Sequence, residues 1–99
     1  LSQLQQLAAG HAALSGPMTL ATVTELRREG RRALRGGAAP MVFDLSGVSA
    51  ADSAGLALLV DWLAYAATQG CKLEFANPPT ALLALARISD VAPLLAASQ

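Results

Sequence analysis

One cysteine and one histidine in 99 residues remove whole classes of chemistry at the outset. Cys71 alone cannot form an internal disulfide, and Cys71 with His11 falls short of the ligand set of a histidine–cysteine metal centre. A hydrolytic triad has to draw on His11, which reads as a partly exposed strand residue in a weakly patterned N-terminal segment. Cys71 reads as a small core residue. Neither a GxxxxGK[ST] loop nor a GxGxxG turn is present, so no nucleotide phosphate cradle can be identified. Charge is scarce too: charged residues make up 14% of the chain, against roughly 25% in ordinary domains. The formal net charge is zero, so overall electrostatics favour neither a nucleic acid nor an anionic membrane as partner. No secretory leader pattern is visible. The longest apolar run, Ala54 to Ala67, is interrupted by Asp61 and falls short of the roughly 20 residues needed to span a bilayer. A reducing, cytoplasmic setting without membrane insertion is the expectation. The chain opens on Leu1 rather than Met, as expected of an excerpt from a longer one.

What is abundant is apolar side chain, 54% of the residues, enough for one domain over residues 1–99 with apolar surface left to face another molecule. Leu1 to Leu7 and His11 to Ser15 around Ala9-Gly10 suit a hairpin. After Gly16-Pro17 the pattern becomes helical, with Thr19 as cap, Thr22 and Glu25 at capping-box spacing, and Leu20, Val23, Leu26, Gly30 and Leu34 on one side. Gly36-Gly37 ends that helix. Met41 to Leu45 reads as a buried strand, followed by a small-residue loop and a helix from about Ser53 to Gln69. Cys71 to Ala76 alternates as a further strand. Asn77 and Pro78 open a last helix carrying Leu82, Leu83, Leu85 and Ile88, and Asp90 to Leu95 forms a short tail. The order ββαβαβα, with helix-bridged strands parallel, predicts an α/β fold: a four-stranded mixed sheet, first strand antiparallel, helices mainly on one face.

Chemistry concentrates at the start of the second helix. Asp52-Ser53-Ala54-Gly55 opens it, and the first backbone N–H groups there favour a negative charge. Ser53 is placed to carry a phosphate or to face a partner's polar group. At about 100° per residue, Leu56, Leu59, Val60, Leu63 and Ala67 form a stripe expected against the sheet. Ala54, Leu58, Asp61, Trp62, Tyr65 and Thr68 lie opposite. Trp and Tyr dominate binding hot spots, so Asp52, Ser53, Ala54, Leu58, Asp61, Trp62 and Tyr65 are the candidate partner-binding residues, set against packing of Trp62 and Tyr65 on neighbouring helices. Asp44 and Asp52 could hold magnesium if they met across the loop, but no lysine or further acidic residue completes such a site, so no cofactor or metal is expected. Five of the seven basic residues, Arg27, Arg28, Arg31, Arg32 and Arg35, crowd onto the first helix. They read as a solvated face partly paired by Glu25 with Arg28 and Glu29 with Arg32, or as a contact for an acidic protein surface or lipid.

The segment VFDLSGVSAADSAGLALLVDWLAYAATQGCKLEFANPP, with the preceding GPMTLATVTELR, resembles the STAS domain of bacterial anti-sigma factor antagonists and of the small cytoplasmic subunit of Mla-type phospholipid ABC transporters. The resemblance covers the chain from about His11 onward and centres on DSAGL. It implies a non-enzymatic protein. In the transporter branch the hydroxyl after the Asp, here Ser53, contacts the ATPase subunit, and the protein lies at the inner membrane through that partner. In the antagonist branch the same residue is phosphorylated by a partner kinase, an anti-sigma factor, which switches binding off. Antagonists often carry Gly-Glu-Leu-Asp before the first helix, where this chain has Gly16, Pro17, Met18 and Thr19. That departure and the apolar GLALL run favour the transporter subunit.

Overall fold

The computed structural model describes residues 2–37 and 40–88. Its elements are β1 (Gln3–Ala8), β2 (His11–Met18), α1 (Val23–Leu34), β3 (Met41–Ala51), α2 (Ser53–Thr68), β4 (Leu73–Ala76) and α3 (Thr80–Ile88). The sheet order is β1-β2-β3-β4, with β1 antiparallel to β2 and the other pairs parallel, as the ββαβαβα pattern predicts. Period-two burial marks the covered face. Met41, Phe43 and Leu45 are buried while Val42 and Asp44 are half-buried, and Leu73 and Phe75 alternate in the same way with Glu74 and Ala76. Against that face lies α2, flanked by α1 and α3.

The centre of the core is aromatic. Phe43 meets Trp62 edge to face, with ring centroids 5.1 Å apart, and Phe75 packs on the other side of Phe43 at 6.4 Å. Trp62 is fully buried and passes beneath α1 at Gly30, where a Cβ would overlap the indole. Its Nε1 donates to the Arg27 carbonyl at 3.4 Å. This overturns the expected facing of α2. The buried residues are Gly55, Leu56, Leu58, Leu59, Trp62 and Ala66, whereas Ala67 is exposed and Val60 and Leu63 are half-buried. Because α2 is apolar around most of its circumference and has helices on both flanks, periodicity does not single out one face. Steric fit does, since the indole needs the gap at Gly30.

Other boundaries also differ from the sequence expectation. β2 continues through Gly16-Pro17 to Met18, and β3 runs on to Ala51 in place of the expected loop. Parallel pairing of Ser15 with Gly47, Gly16 with Val48 and Met18 with Ala51 holds this small-residue segment extended despite its weak strand propensity. α1 starts at Val23, so Leu20 lies outside it and is exposed. Thr22 makes no side-chain cap. Its Oγ1 accepts from Thr19 N–H at 3.0 Å and donates to the Pro17 carbonyl at 2.8 Å, folding the preceding turn. Glu25 pairs with Arg28 as expected, but Glu29 accepts the Leu4 backbone N–H at 2.8 Å and so ties α1 to β1. Asn77 adopts a left-handed φ of 54° and donates to Asp44 Oδ1, so α3 opens later, at Thr80. Ile88 is exposed, and β4 begins at Leu73, two residues after the expected Cys71. The expected tail, Asp90 to Leu95, lies outside the described residues.

The substitution Gly30→Ala is expected to cost about 1–3 kcal/mol of stability by overpacking, measured as a lower urea midpoint at unchanged m-value. Adding Trp62→Phe should make the alanine less harmful than it is beside tryptophan; purely additive effects would refute the steric account.

Candidate functional site

The junction between β3 and α2 explains DSAGL residue by residue. Asp52 caps α2: its Oδ1 accepts from the N–H groups of Ala54 at 2.9 Å and Gly55 at 3.2 Å, satisfying donors that an uncapped helix leaves open. Its Oδ2 accepts the Leu20 N–H at 3.1 Å, so one carboxylate joins the start of α2 to the turn before α1. Those N–H groups, Leu20 first, hold the Asp52 carboxyl below its ordinary pKa. Ser53 follows at the first helical position, exposed, and its hydroxyl makes no hydrogen bond among the described residues. Gly55 sits against the end of β2, where a Cβ would overlap the Met18 carbonyl oxygen. Leu56 enters the core.

Beside this junction α1 and α2 run side by side in the same direction, as the Leu20–Asp52 contact at one end and the Arg31–Asp61 pair at the other require. Between them lies an open groove of about 630 Å³, lined by Val23, Thr24, Arg27, Arg28 and Arg31 on α1 and by Ala54, Ala57, Leu58 and Asp61 on α2. Its far end is locked. Arg31 grips Asp61 with both Nε (3.2 Å) and a terminal nitrogen (2.8 Å), and Arg27 Nε approaches the same carboxylate at 3.4 Å. The Arg31 hydrogen bond holds the Asp61 carboxyl below its ordinary pKa, and the same guanidinium lies 4.6 Å from the centre of the Tyr65 ring.

Of the seven candidate residues, Asp52, Ser53 and Ala54 gather at the head of α2, with Ser53 the most open to solvent. Asp61 and Tyr65 are half-buried and engaged by Arg31. Leu58 is 4% exposed and Trp62 0%, so neither offers the apolar contact area expected of it; both act from within, as groove floor and core. Sequence reasoning missed Val23, Thr24 and Ala57 as groove residues, and took the α1 arginines as a separate face. The i, i+4 spacing of Arg27 and Arg31, with Asp61 as a lone acid on an apolar helix, is the signal that could have revealed a shared wall. Asp44 and Asp52 do not meet: extended strand separates them, on the order of 25 Å at about 3.3 Å per residue. Asp44 instead accepts from Ser46 N–H and Asn77 Nδ2, which hold its carboxyl below the ordinary value. Among the described residues no group of three His, Cys, Asp or Glu is placed to hold a metal ion.

The family model for the Mlab STAS domain matches residues 2–96. The chain belongs to this STAS family. STAS domains interact with other proteins, and members of the family are typically regulatory or binding proteins. The phosphorylated form of the Bacillus cell-fate determinant SpoIIAA is similar in structure, with a TM-score of 0.70 at 16% identity, over 96% of this chain and 88% of that one. The unphosphorylated anti-sigma factor antagonist SpoIIAA aligns with a TM-score of 0.66 at 16% identity, over 89% and 83%. At this identity the likeness concerns the fold. A search of curated proteins finds no significant match. No helix among the described residues of this STAS domain is long and apolar enough to cross a membrane.

Asp52 generates an acid-stability prediction. Its folded pKa is depressed, so its contribution is complete above the ordinary value of 3.8 and is lost as pH falls through the lower folded value. Asp44 and Asp61 act in the same sense. The urea midpoint is therefore expected to drop on acidification from about pH 5 to about pH 3, and to drop less steeply in Asp52→Asn. Equal slopes in the two proteins would show that the cap is not charge-dependent.

Proposed function

We propose that this STAS domain is a non-enzymatic subunit that binds the cytoplasmic ATPase subunit of an Mla-type phospholipid ABC transporter and holds it in its active arrangement. The observation that carries this reading is Ser53: an exposed hydroxyl, without a hydrogen-bond partner among the described residues, on a capped helix start that adjoins an open groove. Family membership by the Mlab STAS model supports it. Asp52 positions the helix end, Ser53 hydrogen-bonds across the interface, and Ala54 and Ala57 let the partner approach closely. Asp61 and Tyr65, bound by Arg31, keep the groove wall in place, while Leu58 and Trp62 support it from the core. With no nucleotide motif of its own, the domain acts by favouring one partner conformation over another. It is held at the cytoplasmic face of the inner membrane by that partner.

The test is Ser53→Glu. A carboxylate at the first turn is compatible with the helix, so the unfolding free energy from urea titration should stay within about 0.5 kcal/mol of the parent. Co-purification with the ATPase subunit and stimulated ATPase activity should both fall, and full retention of both would defeat the assignment.

A second reading has its own support. The fold matches an antagonist known in phosphorylated and unphosphorylated forms, and an exposed seryl oxygen at a helix N-terminus accommodates a phosphate. On that reading Ser53 is phosphorylated with ATP by an anti-sigma factor kinase, and the modified protein releases it. Intact-mass measurement after incubation with candidate kinases distinguishes the two: a phosphate gained at Ser53 favours the antagonist, and no gain leaves the transporter reading in place.

A further inference from the structure

From the groove between α1 and α2 we infer the chemistry of the occupant: an amphipathic, acidic helical segment of the partner protein, with Leu20 as the apolar anchor at its mouth. This inference rests on the reading of the α2 start as a docking site and adds the kind of surface that docks there.

The chain as a whole is neutral, but the groove is not. Three guanidiniums, Arg27, Arg28 and Arg31, line it against one carboxylate, Asp61. Asp61 is gripped by Arg31 and approached by Arg27 at 3.4 Å, yet the side chains of Arg27 and Arg28 remain 56% and 59% exposed. Glu25 reaches Arg28 at 2.8 Å but is itself open to solvent, so the pair is readily exchanged for a better-placed partner carboxylate. The floor is small and apolar: Val23, Ala54 and Ala57, with Leu58 almost wholly buried behind them. Leu20 is 78% exposed although its backbone is anchored, its N–H donating to Oδ2 of Asp52, the residue before Ser53. From Val23 to Arg31 the α1 wall of the groove extends about 12 Å at about 1.5 Å per helical residue, the length of two turns of a partner helix. An apolar stripe on such a helix fits the floor and Leu20, and acidic residues beside the stripe meet Arg27 and Arg28.

The test uses two probes against the full chain. The first is a helical peptide of about 14 residues with Leu at i, i+3, i+4 and i+7 and Glu on the flanks, compared with its Lys-flanked counterpart. Backbone amide resonances of Leu20, Val23, Arg27, Ala54 and Ala57 should shift with the Glu peptide and not with the Lys peptide. Affinity should fall roughly tenfold in the double variant Arg27→Glu/Arg28→Glu and measurably in Leu20→Ser, and stay unchanged in Arg35→Glu, outside the groove. Equal binding of the two peptides, no shift in the groove, or co-sedimentation with phosphatidylglycerol vesicles in place of peptide binding would overturn the inference. The second probe is the purified ATPase subunit. Loss of binding by Ser53→Glu with full retention by the groove variants defeats the groove inference alone. Selective binding of the Glu peptide by a domain that ignores the ATPase subunit defeats the transporter reading alone.

Discussion

The packing of Trp62 beneath Gly30 is the contact on which the rest of the molecule depends. An indole is too large to be accommodated between two ordinary helices at close range, and the missing Cβ at Gly30 opens the space it fills. With the ring inserted edge-on to Phe43, the rotation of α2 about its own axis is determined. Leu56, Leu59 and Ala66 then lie inside, Leu58 becomes the groove floor, and Ser53 and Ala57 face solvent. The one tryptophan is therefore a positioning element for the surface, although it touches nothing outside the domain.

Two polar ties complete that arrangement at opposite ends of the groove. Asp52 joins the head of α2 to the turn before α1, and Asp61 joins the middle of α2 to Arg31 and Arg27. Between them the helices are held side by side with a groove left open, and the groove inherits the positive charge of α1 because Asp61 neutralises only part of it. A surface that is fixed at both ends presents its hydroxyl, its small residues and its arginines without first having to be ordered, which would lower the entropic cost of the proposed docking.

Much of the fold was legible because it rests on local signals: alternation in Met41 to Leu45, the glycine after Gln69, helical crossovers that force parallel strands. The site was legible in part. Asp52 as cap and Ser53 as exposed hydroxyl follow from the order of residue types at a helix start. The second half of β3 was not legible, since Ser46 to Ala51 has no strand pattern and is held extended by β2. The outward Trp62 was a misreading with a clear cause. A helix with apolar residues on most sides carries no periodic record of which side is buried, and aromatic residues on it suit a hot spot and a core equally well.

Element order, strand direction, the helix cap and the family are properties that the sequence determined by itself, because each depends on neighbours within a few residues or on a short motif. The exposure of Leu20, the burial of Trp62, the union of arginines from one helix with small residues from another, and the diversion of Glu29 to β1 were decided only by the tertiary structure. Each of these depends on steric fit and hydrogen bonding between segments about 25 or more residues apart, where the choice is made by complementary volume and unpaired backbone donors, neither of which a linear pattern records.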